Sequence, residues 1–165
     1  MRMVLSYTFS KPVDYWSFVE RQDSTPLITN LPGNWYYSLS HSKGLMAFAL
    51  GQYPVGIDVE LIKKRDFDKL AEYAFNADES DLIRFIPEKS QRLFYRVWCA
   101  KEGWYKALQP KQQAATSMRD LSYLALVMRE TPWRVYEKQI FDYQLSLVTS
   151  VKLQDIVLDR TFLLA

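Results

Sequence analysis

Residues 98–108 read WCAKEGWYKAL, two lysines and a glutamate set among three aromatics. The stretch ends a longer helical pattern that runs from about Glu88 to Leu108 and stops before Pro110, a residue that cannot continue a helix. At ~100° per residue, Leu93, Val97, Ala100, Trp104 and Leu108 form one apolar stripe. Phe94, Trp98, Glu102 and Lys106 make a second row on another face. A helix apolar over more than half its circumference packs between two layers, which predicts that Glu102 and Lys106 lie in a cleft. An i,i+4 Glu–Lys pair equally suits a solvated helix face, so the spacing alone leaves both readings open.

Upstream, VGIDVE at 55–60 reads as a strand. Side chains two apart on a strand share a face, so Asp58 and Glu60 project together while Val55, Ile57 and Val59 fill the other side. Paired carboxylates repel unless a cation lies between them, and Mg²⁺ commonly binds one or two carboxylates plus phosphate oxygens. An isolated D-x-E also fits the wet face of an edge strand. His41, the one histidine of the chain, sits in SLSHSKG at 38–44. There it suits either a hydrogen-bonded turn or phosphate binding, with Lys43 and the turn's N–H groups adding anion-binding capacity.

The rest of the chain sets these stretches in an α+β order. Strands are expected at 3–9, 34–40, 45–51 and 54–60, with irregular chain and one or two helical turns between 10 and 33. Helices follow at 66–75, 77–86 and 88–108. A polar loop at 110–118 leads to strands at 121–129, 133–141 and 143–150, with a last short strand near 156–164. No βαβα alternation appears, and neither common glycine-rich nucleotide loop is present.

The 165 residues suit one domain or two fused halves, and 48% hydrophobic residues are enough for a sizeable core. A net charge of +2 argues against a bulk nucleic-acid binder but not against a local phosphate pocket. Cys99 is the single cysteine, so an intrachain disulfide cannot form. No stretch reads as a secretory leader or a membrane span, and the expectation is a cytoplasmic protein.

Three stretches in fixed order, YYSLSHSKGLMAFAL, VGIDVE and VWCAKEGWYKAL, resemble the 4′-phosphopantetheinyl transferase superfamily of the surfactin-synthetase-activating type. Its members carry F-N-x-S-H-S, G-[IV]-D-x-E and W-x-x-K-E-x-x-x-K. Gly56, Asp58, Glu60, Trp98, Lys101, Glu102 and Lys106 match the second and third; Ser40, His41 and Ser42 match the first, with Ser38 where asparagine is usual. The resemblance implies a pseudo-twofold fold of two small antiparallel sheets, each beside a long helix, with the active site in the cleft between halves. Residues 1–60 would be an abbreviated N-terminal half and 61–165 the C-terminal half of one compact, monomeric unit. Members of this type usually have a longer, more basic front; here only Arg2, Lys11 and Arg21 precede the first motif.

The resemblance further implies Mg²⁺-dependent transfer of phosphopantetheine from coenzyme A to a serine of an acyl or peptidyl carrier protein, with Mn²⁺ as a substitute metal. Asp58, Glu60 and Glu102 would hold the metal. Glu102 would also act as base, and Lys106, with Lys101, would pair with the pyrophosphate. Ser40, His41 and Lys43 would contact the nucleotide's 3′-phosphate end. Two other readings stay open: a non-catalytic carrier-protein-binding relative, and a Mg²⁺-dependent phosphohydrolase using the same carboxylates.

Overall fold

A computed structural model describes residues 1–22 and 24–150. The strand expected near 156–164 lies outside the described residues. The central unit is an antiparallel sheet in which β7 (Tyr143–Thr149) lies between β5 (Val55–Leu61) and β6 (Arg134–Ile140). Alternation along β5 sends Val55, Ile57 and Val59 to one face, where they pack with Ala47, Ala49, Leu145 and Leu147. The other face receives α4 (Ser90–Ala107).

That helix packs between layers, as its sequence requires. One side lies on β5 and β7, and the other meets α2 (Phe67–Ala74), α3 (Ala77–Phe85) and α6 (Tyr123–Val127). The helical side buries Phe67, Phe75, Ile83, Phe94, Val97, Ala100, Trp104 and Leu126 in one cluster. Caps fix the helix starts where the sequence places them. The Asp66 carboxylate accepts from Lys69 N–H, and Asn76 forms a reciprocal capping box with Glu79.

The contact between α4 and β5 is closer than side chains normally allow. Gly56 faces Gly103, and a Cβ built on Gly56 would overlap the Gly103 carbonyl and stand 2.6 Å from Ala107 N. Backbone therefore meets backbone at this point, and the missing Cβ at Gly56 is what permits it.

A hairpin of β3 (Tyr36–Ser42) and β4 (Leu45–Gly51) covers the β5 edge. Its two-residue turn has positive φ at both Lys43 (42°) and Gly44 (92°), the geometry whose twist matches the flanking strands. A second hairpin, β1 (Phe18–Arg21) with β2 (Ser24–Ile28), packs with α1 (Arg2–Phe9) around buried Leu5, Trp16 and Ile28.

Four segments differ from the sequence expectation. Residues 3–9 belong to α1: Leu5 and Phe9, one turn apart, pack on the Trp16 cluster, and Thr8 Oγ1 bonds back to Val4 O, so the β-branched residues are absorbed by a helix. Phe18–Arg21 and Ser24–Ile28 pair as the antiparallel strands β1 and β2, not irregular chain. Pro110 starts a short α5 (Pro110–Ala114) in the expected loop. The strand expected at 121–129 is α6, because Ser122 caps Ala125 N–H and turns the chain helical. Among the described residues, no helix is long and apolar enough to cross a membrane.

Candidate active site

The Gly56–Gly103 contact brings the polar residues of β5 and α4 together. Asp58 follows Gly56 on the helix-facing side of β5 and is only 3% exposed. Lys106 extends from α4 and donates to Asp58 Oδ1 at 2.7 Å and, more weakly, to Ser40 Oγ at 3.4 Å. Asp58 Oδ2 is buried with no hydrogen-bond partner among the described residues. Burial and the neighbouring Asp58 charge push both the Glu60 and Glu102 carboxyls above their ordinary values, against the opposing pull of Lys106. Arg65 also opposes the shift at Glu60. Lys106, with Arg65 acting on Glu60, thus faces three buried or part-buried carboxylates, an excess of negative charge that a cation would relieve.

A row of serines joins β3 to β5. Ser38, Ser40 and Ser42, each two apart, present their hydroxyls to the β5 edge. Ser38 Oγ accepts from Ile57 N–H at 3.1 Å, Ser40 Oγ from Val59 N–H at 3.3 Å, and Ser42 Oγ from Leu61 N–H at 3.1 Å. Two of the hydroxyls also donate: Ser40 to Asp58 Oδ1 at 2.8 Å and Ser42 to Glu60 Oε2 at 3.0 Å. The motif reading did not find this role for Ser38 and Ser42. Its signal is the S-x-S-x-S alternation at 38–42 ahead of D-x-E.

The expected site residues divide into those the structure gathers and those it does not. Asp58, Glu60, Glu102 and Lys106 share one region. Ser40 is there too, buried and bonded to Asp58 Oδ1 and Val59 N–H. His41 is exposed on the opposite side of β3, paired in register with Met46. Lys43 is exposed at the hairpin tip, where its carbonyl accepts from Tyr143 OH at 2.6 Å. Lys101 is away from the carboxylates and completely buried. It is ion-paired to Glu79, which also accepts from Tyr123 N–H at 2.6 Å. Adjacent positions on a helix point ~100° apart, so Lys101 faces α3 while Glu102 faces the strand. Through Glu79, Lys101 ties α3, α4 and α6 together.

The donor chemistry fits a hard divalent cation: carboxylate oxygens, one of them buried without a partner. As the side chains stand, with Lys106 on Asp58, no three His, Cys, Asp or Glu side chains among the described residues are grouped as a ligand set.

The family model for the 4′-phosphopantetheinyl transferase superfamily matches residues 54–157, which contain β5, α4 and the sheet that joins them. The chain is 31% identical over 107 residues to the 4′-phosphopantetheinyl transferase psf-1 of Bacillus pumilus, covering 64% of this chain and 45% of the relative. It is 36% identical over 74 residues to HetI of a Nostoc strain, covering 43% and 31%, and 26% identical over 106 residues to Sfp of Bacillus subtilis, covering 64% and 47%. The chain thus spans less than half the length of the curated relatives it matches. With the mixed helix-and-sheet architecture and the match over the segment that carries Asp58 and Glu102, the chain belongs to the 4′-phosphopantetheinyl transferase superfamily.

Proposed function

We propose that the protein transfers the phosphopantetheine arm of coenzyme A to a serine hydroxyl of an acyl or peptidyl carrier protein. The observation that carries this reading is the convergence of Asp58, Glu60, Glu102 and Lys106 at the Gly56–Gly103 contact. Asp58, Glu60 and Glu102 would hold Mg²⁺ or Mn²⁺. When bound, the metal supplies charge neutralisation on the pyrophosphate.

In the reaction the carrier serine oxygen bonds to the phosphorus bearing pantetheine. The bond from that phosphorus to the oxygen bridging to the nucleotide breaks, releasing adenosine 3′,5′-bisphosphate. Phosphoryl transfer of this kind depends mostly on positioning and charge stabilisation. Glu102 accepts the serine proton, and burial and the Asp58 charge, by raising its carboxyl above the ordinary value, make it a stronger base. Lys106, paired to Asp58 and aimed into the site, turns to the pyrophosphate oxygens. His41 and Lys43, both exposed, take the 3′-phosphate end.

The two halves meet along the serine row, with the cleft beside it, in a pseudo-twofold unit of the kind the resemblance implies. The pairing of β5 with β7 supports grouping residues 55–60 with the C-terminal half, which would set the division before Val55. The carrier protein would dock on the α2–α4 face. Lys69, Arg84, Lys89 and Arg92 lie on the helical stretch 66–95, Lys69 paired to Asp66 and Arg84 to Glu72, and Tyr73 and Phe85 are exposed on the same stretch. The protein works in the cytoplasm as a monomer.

The test is intact mass of apo carrier proteins after incubation with the protein, coenzyme A and Mg²⁺. Gain of one phosphopantetheine group is expected. Unchanged carriers together with a silent calorimetric titration of coenzyme A and Mg²⁺ would favour a non-catalytic carrier-protein-binding relative, and phosphate release without a carrier would favour a phosphohydrolase.

A further inference from the structure

Ser38, Ser40 and Ser42 make the same bond to the backbone of β5, yet only two of them touch a carboxylate. A serine hydroxyl has one proton and two lone pairs. In Ser40 and Ser42 a backbone N–H of β5 fills one lone pair, which leaves the proton for a neighbouring acceptor. That proton goes to Asp58 Oδ1 from Ser40 and to Glu60 Oε2 from Ser42. Lys106 also lies on Asp58 Oδ1, so its Oδ2 stands buried and unbonded. Among the described residues no donor is bonded to Glu60 Oε1 either.

We propose that Ser40 and Ser42 are positioning residues that fix one oxygen of each carboxylate and leave Asp58 Oδ2 and Glu60 Oε1 as the oxygens offered to a divalent cation. This rests on the reading of Asp58 and Glu60 as metal ligands. The strand spacing makes the arrangement self-registering: β3 and β5 both repeat every second residue, so one row of hydroxyls indexes both the backbone donors and the carboxylates between them. Ser38 lies opposite Ile57 N–H and has no acidic neighbour in the row, which makes it an internal control supplied by the fold.

The experiment is titration of the whole chain with Mn²⁺, with and without coenzyme A, followed by electron paramagnetic resonance of the free ion. Thermal unfolding is measured on each variant. Ser40→Ala and Ser42→Ala are expected to weaken Mn²⁺ binding ~10–100-fold, the range typical for residues that orient metal ligands. Ser38→Ala should lose comparable thermal stability but keep wild-type Mn²⁺ affinity. Ser42→Thr, which retains the hydroxyl on a strand, should restore affinity. If Ser40→Ala fails to fold, Ser42→Ala at the half-buried end of the row carries the comparison. Equal affinity in all four variants, or equal loss in Ser38→Ala, overturns the positioning role alone. A wild-type chain that takes up no Mn²⁺ overturns the metal-ligand reading itself, and the positioning role with it.

Discussion

Replacing Gly56 by alanine tests whether the helix–strand contact builds the site. The new Cβ would overlap the Gly103 carbonyl and lie 2.6 Å from Ala107 N. Moving from 2.6 Å out to the 3.4 Å of ordinary contact requires α4 to retreat by about 0.8 Å, and the overlap with Gly103 requires more. Both obstacles are backbone atoms, so no side chain can turn aside. Overpacking of this kind costs ~1–3 kcal/mol, and this site belongs at the upper end of that range. The retreat also carries Glu102 and Lys106 away from Asp58, and a misplacement of ~1 Å can cost ~10²-fold in rate. Gly103→Ala is the graded comparison. Its Cβ would stand 3.3 Å from Ser146 O and 3.4 Å from Gly56 O, a tight fit but not an overlap. It also gains ~1 kcal/mol of helix propensity, so its net effect on stability should be small. Gly33→Ala, with nothing within 4 Å, should be neutral. Urea unfolding gives the stabilities, and carrier-protein mass gives the transfer rates. A Gly56→Ala protein as stable as Gly33→Ala would refute the reasoning, because the close approach would then not exist in solution.

Three further outcomes are expected. Glu102→Gln should abolish transfer at least ~100-fold while raising the melting temperature at neutral pH. A carboxyl whose folded pKa is raised gives its stability fully below the ordinary 4.5 and loses it as pH rises through the folded value, a loss glutamine does not suffer; melting curves from pH 4 to 8 should therefore converge at the acid end. Lys101→Met should destabilise by ~3–5 kcal/mol in urea because Glu79 is left buried and uncompensated. A stable Lys101→Met protein that no longer binds coenzyme A would instead return Lys101 to the phosphate site. Raising the salt concentration should slow transfer to the carrier protein steeply, since the Debye length falls to ~3 Å at 1 M, and rates indifferent to salt would remove the proposed docking face.

The parts of the fold visible in the sequence are those whose signals are local and redundant. The helices α2, α3 and α4 have both periodicity and end signals, and β4 to β7 have alternation and turns at their ends. By contrast, α1 and α6 are short apolar runs, for which periodicity cannot separate helix from strand. Their form is set by what they pack on: the Trp16 cluster for α1, and the Ser122 cap with the Phe94 cluster for α6. The site divides in the same way. Asp58, Glu60, Glu102 and Lys106 stand out because their spacing places each pair on one face of its own element. The Lys101 ion pair was not legible, because Lys101 sits beside Glu102 in the chain while its partner, Glu79, lies 22 residues away. The serines were silent for a related reason: a hydroxyl every second residue acquires meaning only against a strand 18 or 19 residues further on.

The serine row also bears on how the sheet ends. The outer edge of β5 would otherwise present free amide groups at Ile57, Val59 and Leu61, an open template on which an extended segment of another molecule could pair and begin to aggregate. Oxygen atoms from β3 already occupy those three donors. The edge is thus sealed by side chains without adding a fourth strand, and the same hydroxyls that seal it reach the acidic cluster behind.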